Sequence, residues 1–183
     1  SCSSYAEEIR VGMSIPLSGP LQVVGKNMRA GVEAYFYKVN RSGGIHGKQL
    51  RLIVKDDRYE PSLAAPNTRA LIDQDKVVAI IGNVGTPTAI VTVPILRELK
   101  TLLFGPLTGA EFLRKNVADQ YILNYRASYH QEAAAMIDLI LSRGIKPEEI
   151  AFFTQRDSYG DAGYLGAIAA LEEGMIDKKT EFK

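Results

Sequence analysis

The chain has 183 residues, 46% of them hydrophobic and 23% charged, which is the make-up of a globular protein able to bury a real core. With 22 basic residues against 21 acidic ones the formal net charge is +1, so no global field draws it toward nucleic acid or a membrane surface. No apolar run approaches the roughly 20 residues needed to cross a bilayer as a helix. A lone cysteine, Cys2, forbids an intrachain disulfide and leaves a zinc site without thiolate partners. It stands in the start SCSSYAEE, either as an incidental residue or as the lipidation site of an exported protein.

Elements follow in regular alternation. IRVGMSI, from Ile9 to Ile15, reads as a buried strand closed by turn chemistry at Pro16 to Gly19. Met28, Gly31, Val32, Tyr35 and Val39 recur at helical spacing, and Ser42-Gly43-Gly44 stops that helix. Gln49 to Lys55 is a second strand ending at Asp56 and Asp57. A helix follows from Pro61 and Ser62 through Leu71 and Ile72, with Pro66 in its first turns. Val77 to Ile81 is the third strand, running into GNVGTPT. The next helix spans Pro87 to Leu99, with Thr86 expected as N-cap, Pro87 at the tolerated first position and a kink expected at Pro94.

Leu102 to Phe104 is a short fourth strand that ends in the loop GPLTGAEFLR. Tyr121 to Tyr125 and Ile150 to Thr154 read as two further strands flanking a helix from Gln131 to Ser142, and Asp157-Ser158-Tyr159-Gly160 opens a last helix through Glu173. Strands alternating with helices of this length predict an α/β fold, a parallel sheet with helices on both faces and right-handed crossovers. Ligands of such sheets bind beyond the carboxyl ends of the strands, where Ser18, Asp57, Thr86, Thr108 and Tyr159 all fall.

The turn VVAIIGNVGTPT, from Val77 to Thr88, suits a small anion. Its glycines allow close backbone approach, and Thr86 and Thr88 place hydroxyls beside the N–H groups of a helix start. It carries no nucleophile, base or metal ligand. Asp56 and Asp57 lack a partner histidine or third acid and read as structural or capping residues, and His46 and His130 read as surface residues without metal-ligand spacing. Tyr35, Phe36 and Tyr37 point different ways on a helix, and core packing is the expected role. GNVG lacks the third glycine of GxGxxG, and its strand is the third rather than the first, so no nucleotide cofactor is expected.

Taken together, IPLSGP, VNRSGGIHGKQL, KDDRYEP, GNVGTPT, GPLTGAEFLR and QRDSYGDAG, in this order and spacing, resemble the type I periplasmic solute-binding proteins, in the branch of the leucine/isoleucine/valine-binding receptors of ABC transporters. The resemblance implies two Rossmann-like lobes, with residues 1–120 forming a nearly complete first ligand-binding lobe and 121–183 the start of a truncated second one. It implies an extracytoplasmic protein without a cofactor that binds an amino acid or similar small carboxylate or amide in an interlobe cleft, and delivers it to ABC transporter membrane subunits. The alternative is a sensory input domain of the same fold.

By position, Gly85, Thr86 and Thr88, with Leu107, Thr108 and Gly109, would hold the carboxylate and ammonium, Tyr159 would reach in from the second lobe, and Ser18 would lie at the cleft. Val24 stands where several relatives carry an aromatic residue, Pro87 occupies or adjoins a position where relatives carry a hydroxyl and removes one backbone donor, and Thr108 and Gly109 compete for one role. A two-lobed protein needs about twice this length. Alone, the chain is expected to leave part of its first lobe uncovered and to associate or dissolve poorly.

Overall fold

The structure, a computed structural model, describes residues 7–114 and 119–180, with side chains through Glu173. Cys2 lies outside the described residues. These residues form a mixed α/β protein whose five strands, all parallel, run in the order β2-β1-β3-β4-β5. They are β1 (Glu8–Ile15), β2 (Gln49–Asp56), β3 (Ala79–Ile81), β4 (Leu102–Phe104) and β5 (Ile122–Leu123). The helices are α1 (Gln22–Arg41), α2 (Pro61–Asp73), α3 (Thr86–Glu98), α4 (Tyr129–Ser142) and α5 (Ser158–Thr180).

The chain divides into two compact units, one of residues 7–107 with 119–124, the other of 108–114 with 125–180, as far as they are described. The chain thus passes between units at several points, not at a single cut near residue 120.

In the first unit the β1–β2 ladder runs unbroken from the Glu8–Gln49 pair to the Ile15–Asp56 pair, so both strands end at the same rim. Strand side chains alternate between faces. Met13 and Ile15 point to the α1 side, where with Val84 they form a core against Met28 and Val32 of α1 and Leu52, Val54 and Ile81 of the sheet. Burial of side chains such as these contributes about 1.5–3 kcal/mol each. On the other side α2 and α3 pack on each other and on the sheet, with Leu71, Val93 and Leu96 inside.

Register carries the Met13 face across the sheet to Ile81, Phe104 and Leu123. There the cover thins: Phe104 is 46% and Leu123 49% exposed.

Four sequence expectations need correction here. Tyr35 and Tyr37 are exposed, at 64% and 62%, not packed in a core; the inward stripe of α1 is Gly25, Met28, Val32, Phe36 and Val39, and Gly31 also faces out. In the run Tyr-Phe-Tyr any of three residues continues an apolar pattern, and the middle one meets the sheet. The Tyr37 ring instead lies 5.8 Å from the Arg41 guanidinium.

Second, Ile150 to Thr154 is not a strand. A strand needs a neighbour to take its N–H and C=O groups, and no such partner pairs with it among the described residues. Third, Gly85, not Thr86, is the N-cap of α3, and Thr86 is the first helical residue. Fourth, α4 begins two residues earlier than expected. Ser128 caps it, its hydroxyl accepting the Gln131 N–H at 3.1 Å while the Gln131 side chain accepts the Ser128 N–H at 2.9 Å.

The second unit rests on α4 packed along α5, with Ile137, Ala167, Ala170 and Leu171 buried between them. Asp157 opens α5, its carboxylate accepting the N–H groups of Tyr159 at 3.0 Å and Gly160 at 3.1 Å.

Candidate functional site

Three loops meet at the carboxyl rim of the first unit's sheet. The turn after β3 holds Gly82 at φ 76°, Asn83 at 118° and Gly85 at 95°, a conformation that L side chains adopt at a cost. A Cβ on Gly85 would lie 2.1 Å from Tyr59 Cε2, so the Tyr59 ring closes directly on the turn. The Gly85 N–H donates to the Leu107 carbonyl at 3.2 Å, and the Leu107 N–H donates to the Asn83 carbonyl at 2.8 Å. The loop at Leu107 is thereby bonded to the turn that carries Gly85, Thr86 and Thr88.

Their hydroxyls are not equivalent. Thr88 is fully buried, and its Oγ1 donates inward to the Val84 carbonyl at 2.5 Å, with the Gly85 carbonyl at 3.1 Å. That hydroxyl braces the turn. It also accepts from the Asn83 amide at 3.3 Å, while Oδ1 of Asn83, a residue 2% exposed, has no hydrogen-bond partner among the described residues. Thr86 is 2% exposed and stands at the first turn of α3, where helix N–H groups lack intrahelical acceptors and favour an anion. Pro87 removes one donor from that set.

Ser18, on the loop after β1, is tied down by the loop after β2. Its hydroxyl donates to Asp56 Oδ2 at 2.5 Å, and Asp56 Oδ1 accepts the N–H groups of Leu17 at 2.8 Å, Ser18 at 3.3 Å and Arg58 at 3.0 Å. Partial burial pushes the Asp56 carboxyl up, but these donors outweigh it and hold the group below the usual aspartate range. Its neighbour Asp57 is fully buried and goes the other way. Burial raises it, against the Tyr59 N–H and the Ser14 hydroxyl, both at 2.9 Å, with the Asp56 charge adding to the rise. Both aspartates are structural, as their sequence context suggested.

The remaining expected residues, Thr108, Gly109 and Tyr159, belong to the second unit. Thr108 is fully buried and its Oγ1 accepts the Ala110 N–H at 3.2 Å. The Gly109 carbonyl accepts the Tyr129 N–H at 2.8 Å, and a Cβ on Gly109 would meet Tyr129 Cδ1 at 2.8 Å. Tyr129 in turn stands edge-on to Tyr159, ring centroids 5.3 Å apart, with the Arg126 guanidinium 5.5 Å from its own ring centroid. Arg126 is paired with Glu132.

Tyr129 thus links Gly109 to Tyr159. It is not singled out in the sequence; the Ser128-to-Gln131 capping pair is the signal that places it on α4, though not over Gly109. A cavity of about 450 Å³ opens beside this pair, lined by Met136, Ile137, Ile140 and the unpaired segment around Phe153. Tyr159 is 44% exposed at its edge.

The site of the first unit is thus a glycine-hydroxyl turn at the head of a helix, beyond the carboxyl edge of a parallel sheet. A family model for periplasmic binding proteins matches residues 8–177, and the chain belongs to that family. It is 26% identical over 175 residues to Leu/Ile/Val-binding protein homolog 3 of Brucella melitensis, covering 95% of this chain and 46% of that protein. Among solved structures it is similar to a possible leucine/isoleucine/valine-binding protein of Rhodopirellula baltica, with 49% identity and a TM-score of 0.88 over 92% of this chain and 45% of that one.

A solute-binding protein of R. palustris in complex with 4-hydroxybenzoate shares the fold, at 21% identity and a TM-score of 0.79, over 91% of this chain and 44% of that one. The chain spans about half the length of the curated relatives it matches.

Proposed function

We propose that this chain is the ligand-capturing part of an extracytoplasmic solute-binding protein that serves an ABC importer, and that its solute is an amino acid or a similar small carboxylate or amide. The observation that carries the reading is the turn at Gly85 to Thr88, which sets a helix start and the Thr86 residue at the rim of the sheet with no catalytic group beside them. Helix-start N–H groups stabilise a carboxylate, and a water-poor rim strengthens that attraction. Leu107 supplies a second wall in the first unit, its N–H and C=O both bonded to the turn. Chemistry is not part of this proposal, because binding by dipoles and hydroxyls needs no proton transfer.

The relatives support the branch but not the solute. One similar fold holds 4-hydroxybenzoate, so aromatic acids belong in the trial beside aliphatic amino acids. A thermal-shift screen of L-leucine, L-valine, L-glutamine and 4-hydroxybenzoate on the protein made from its native gene tests the reading. A binder at 100 times its Kd stabilises the folded state by about 2.7 kcal/mol and raises the melting temperature. Failure of every carboxylate and amide to do so would contradict it.

A further inference from the structure

The KDDRYEP segment has no place in the proposed solute contacts, yet it holds the most deeply buried charge-bearing side chain of the first unit. Asp57 is 0% exposed, and a buried carboxyl is costly unless its oxygens are bonded. Both oxygens are. Asn67, on α2, donates to the Asp56 carbonyl at 3.0 Å and to Ser14 Oγ at 3.5 Å, the Ser14 hydroxyl donates to Asp57 Oδ2 at 2.9 Å, and Asp57 Oδ1 accepts the Tyr59 N–H at 2.9 Å.

That last bond spans a backbone that would otherwise relax. Arg58 and Tyr59 both sit at positive φ, 55° and 68°, which costs non-glycine residues free energy that the surroundings must offset. The consequence is the placement of the Tyr59 ring. It lies so close over Gly85 that only glycine fits beneath it, and it packs with Val84 and Leu107 in the same core cluster.

We propose that Asp57 is a positioning residue for the turn at Gly85 to Thr88, acting through Tyr59, whose ring it holds as a lid on Gly85. The proposal rests on the solute-binding reading for its purpose, since a turn that must present helix-start donors gains from being held rigid before the solute arrives. Asp57 itself is buried beneath the rim and acts only through Ser14 and Tyr59.

Hydrogen–deuterium exchange of the protein from its native gene, without solute, tests this. Asp57→Ala and Tyr59→Ala are expected to speed exchange of the amides in residues 82–89 by about tenfold or more, with residues 28–39 of α1 staying within about twofold of the parent. Asp57→Asn, which keeps an acceptor for the Tyr59 N–H, is expected to restore the parent rate at 82–89. Tyr59 is only half-buried, so its variant reports even where Asp57→Ala fails to fold. Unchanged exchange at 82–89 in Tyr59→Ala, an equal rise in 28–39, or an Asp57→Asn variant as loose as the alanine one would each overturn the proposal. Because no solute enters the measurement, failure of the thermal-shift screen would overturn the functional reading alone.

Discussion

The Ser18 hydroxyl donates to Asp56 Oδ2 at 2.5 Å, so the loop after β1 is fastened to the end of β2 through a single carboxylate that also gathers three backbone N–H groups. The folded protein holds Asp56 ionised below its ordinary range. A depressed carboxyl contributes stability that is present above its unfolded value and is lost as pH falls through its folded value. Asp56→Asn is therefore expected to flatten the loss of stability on acidification. Denaturant titrations at pH 7 and at pH 3 read this, and an unchanged difference between the two pH values would count against the clamp.

Asp57 carries the opposite sign. Burial raises it, so the folded state binds a proton more readily than the unfolded chain, and its contribution is fully present below the ordinary aspartate value and declines as pH rises through the raised one. Removing it with Asp57→Asn takes away a group that favours the acid side. The variant is expected to lose more stability than the parent between pH 7 and pH 4, and the same titrations would disprove this if it lost less.

Gly85→Ala meets two costs together. The new Cβ would lie 2.1 Å from the Tyr59 ring, and φ at 95° is strained for any L side chain. Overpacking and backbone strain sum to about 2–5 kcal/mol, read as a shift in the denaturant midpoint at unchanged slope. A loss under about 0.5 kcal/mol would mean the ring is free to leave.

Phe104 and Leu123 sit side by side in register at the thinly covered end of the sheet, nearly half exposed. Contiguous apolar surface of this kind drives association. The 183-residue chain by itself is expected to sediment as more than a monomer, and Phe104→Lys with Leu123→Lys to shift it toward one. A monodisperse monomer with a sharp cooperative melt for the parent would contradict this.

Much of this was legible in the sequence because it is local. β1 and β2 announce themselves by short apolar runs bounded by turn residues, and α2 starts at Pro61 as expected of proline at a first helical turn. The turn at Gly85 is also visible, but its sequence points to Thr86 as the cap where the structure has Gly85. Hydroxyl side chains are the commoner N-caps, whereas here a positive φ demands glycine. Tyr59 and Tyr129 were invisible for a different reason. Each acts on a glycine distant in sequence, and nothing local marks which ring will lie over which backbone. Ile150 to Thr154 has the composition of a strand, yet strands exist only in pairs, and pairing is not a property of the segment.

In the proposed function a solute carboxylate or amide sits on the start of α3 at Thr86. Gly85 is the N-cap of α3, so the cap itself stays in Thr86→Ala, and circular dichroism establishes the fold of the variant before binding is read. Titration calorimetry of that variant with the compound that most stabilises the parent is the direct test. A loss of affinity of about tenfold or more is expected, the scale of a hydrogen bond to a charged group; a Kd equal to the parent's would rule out a solute contact at Thr86.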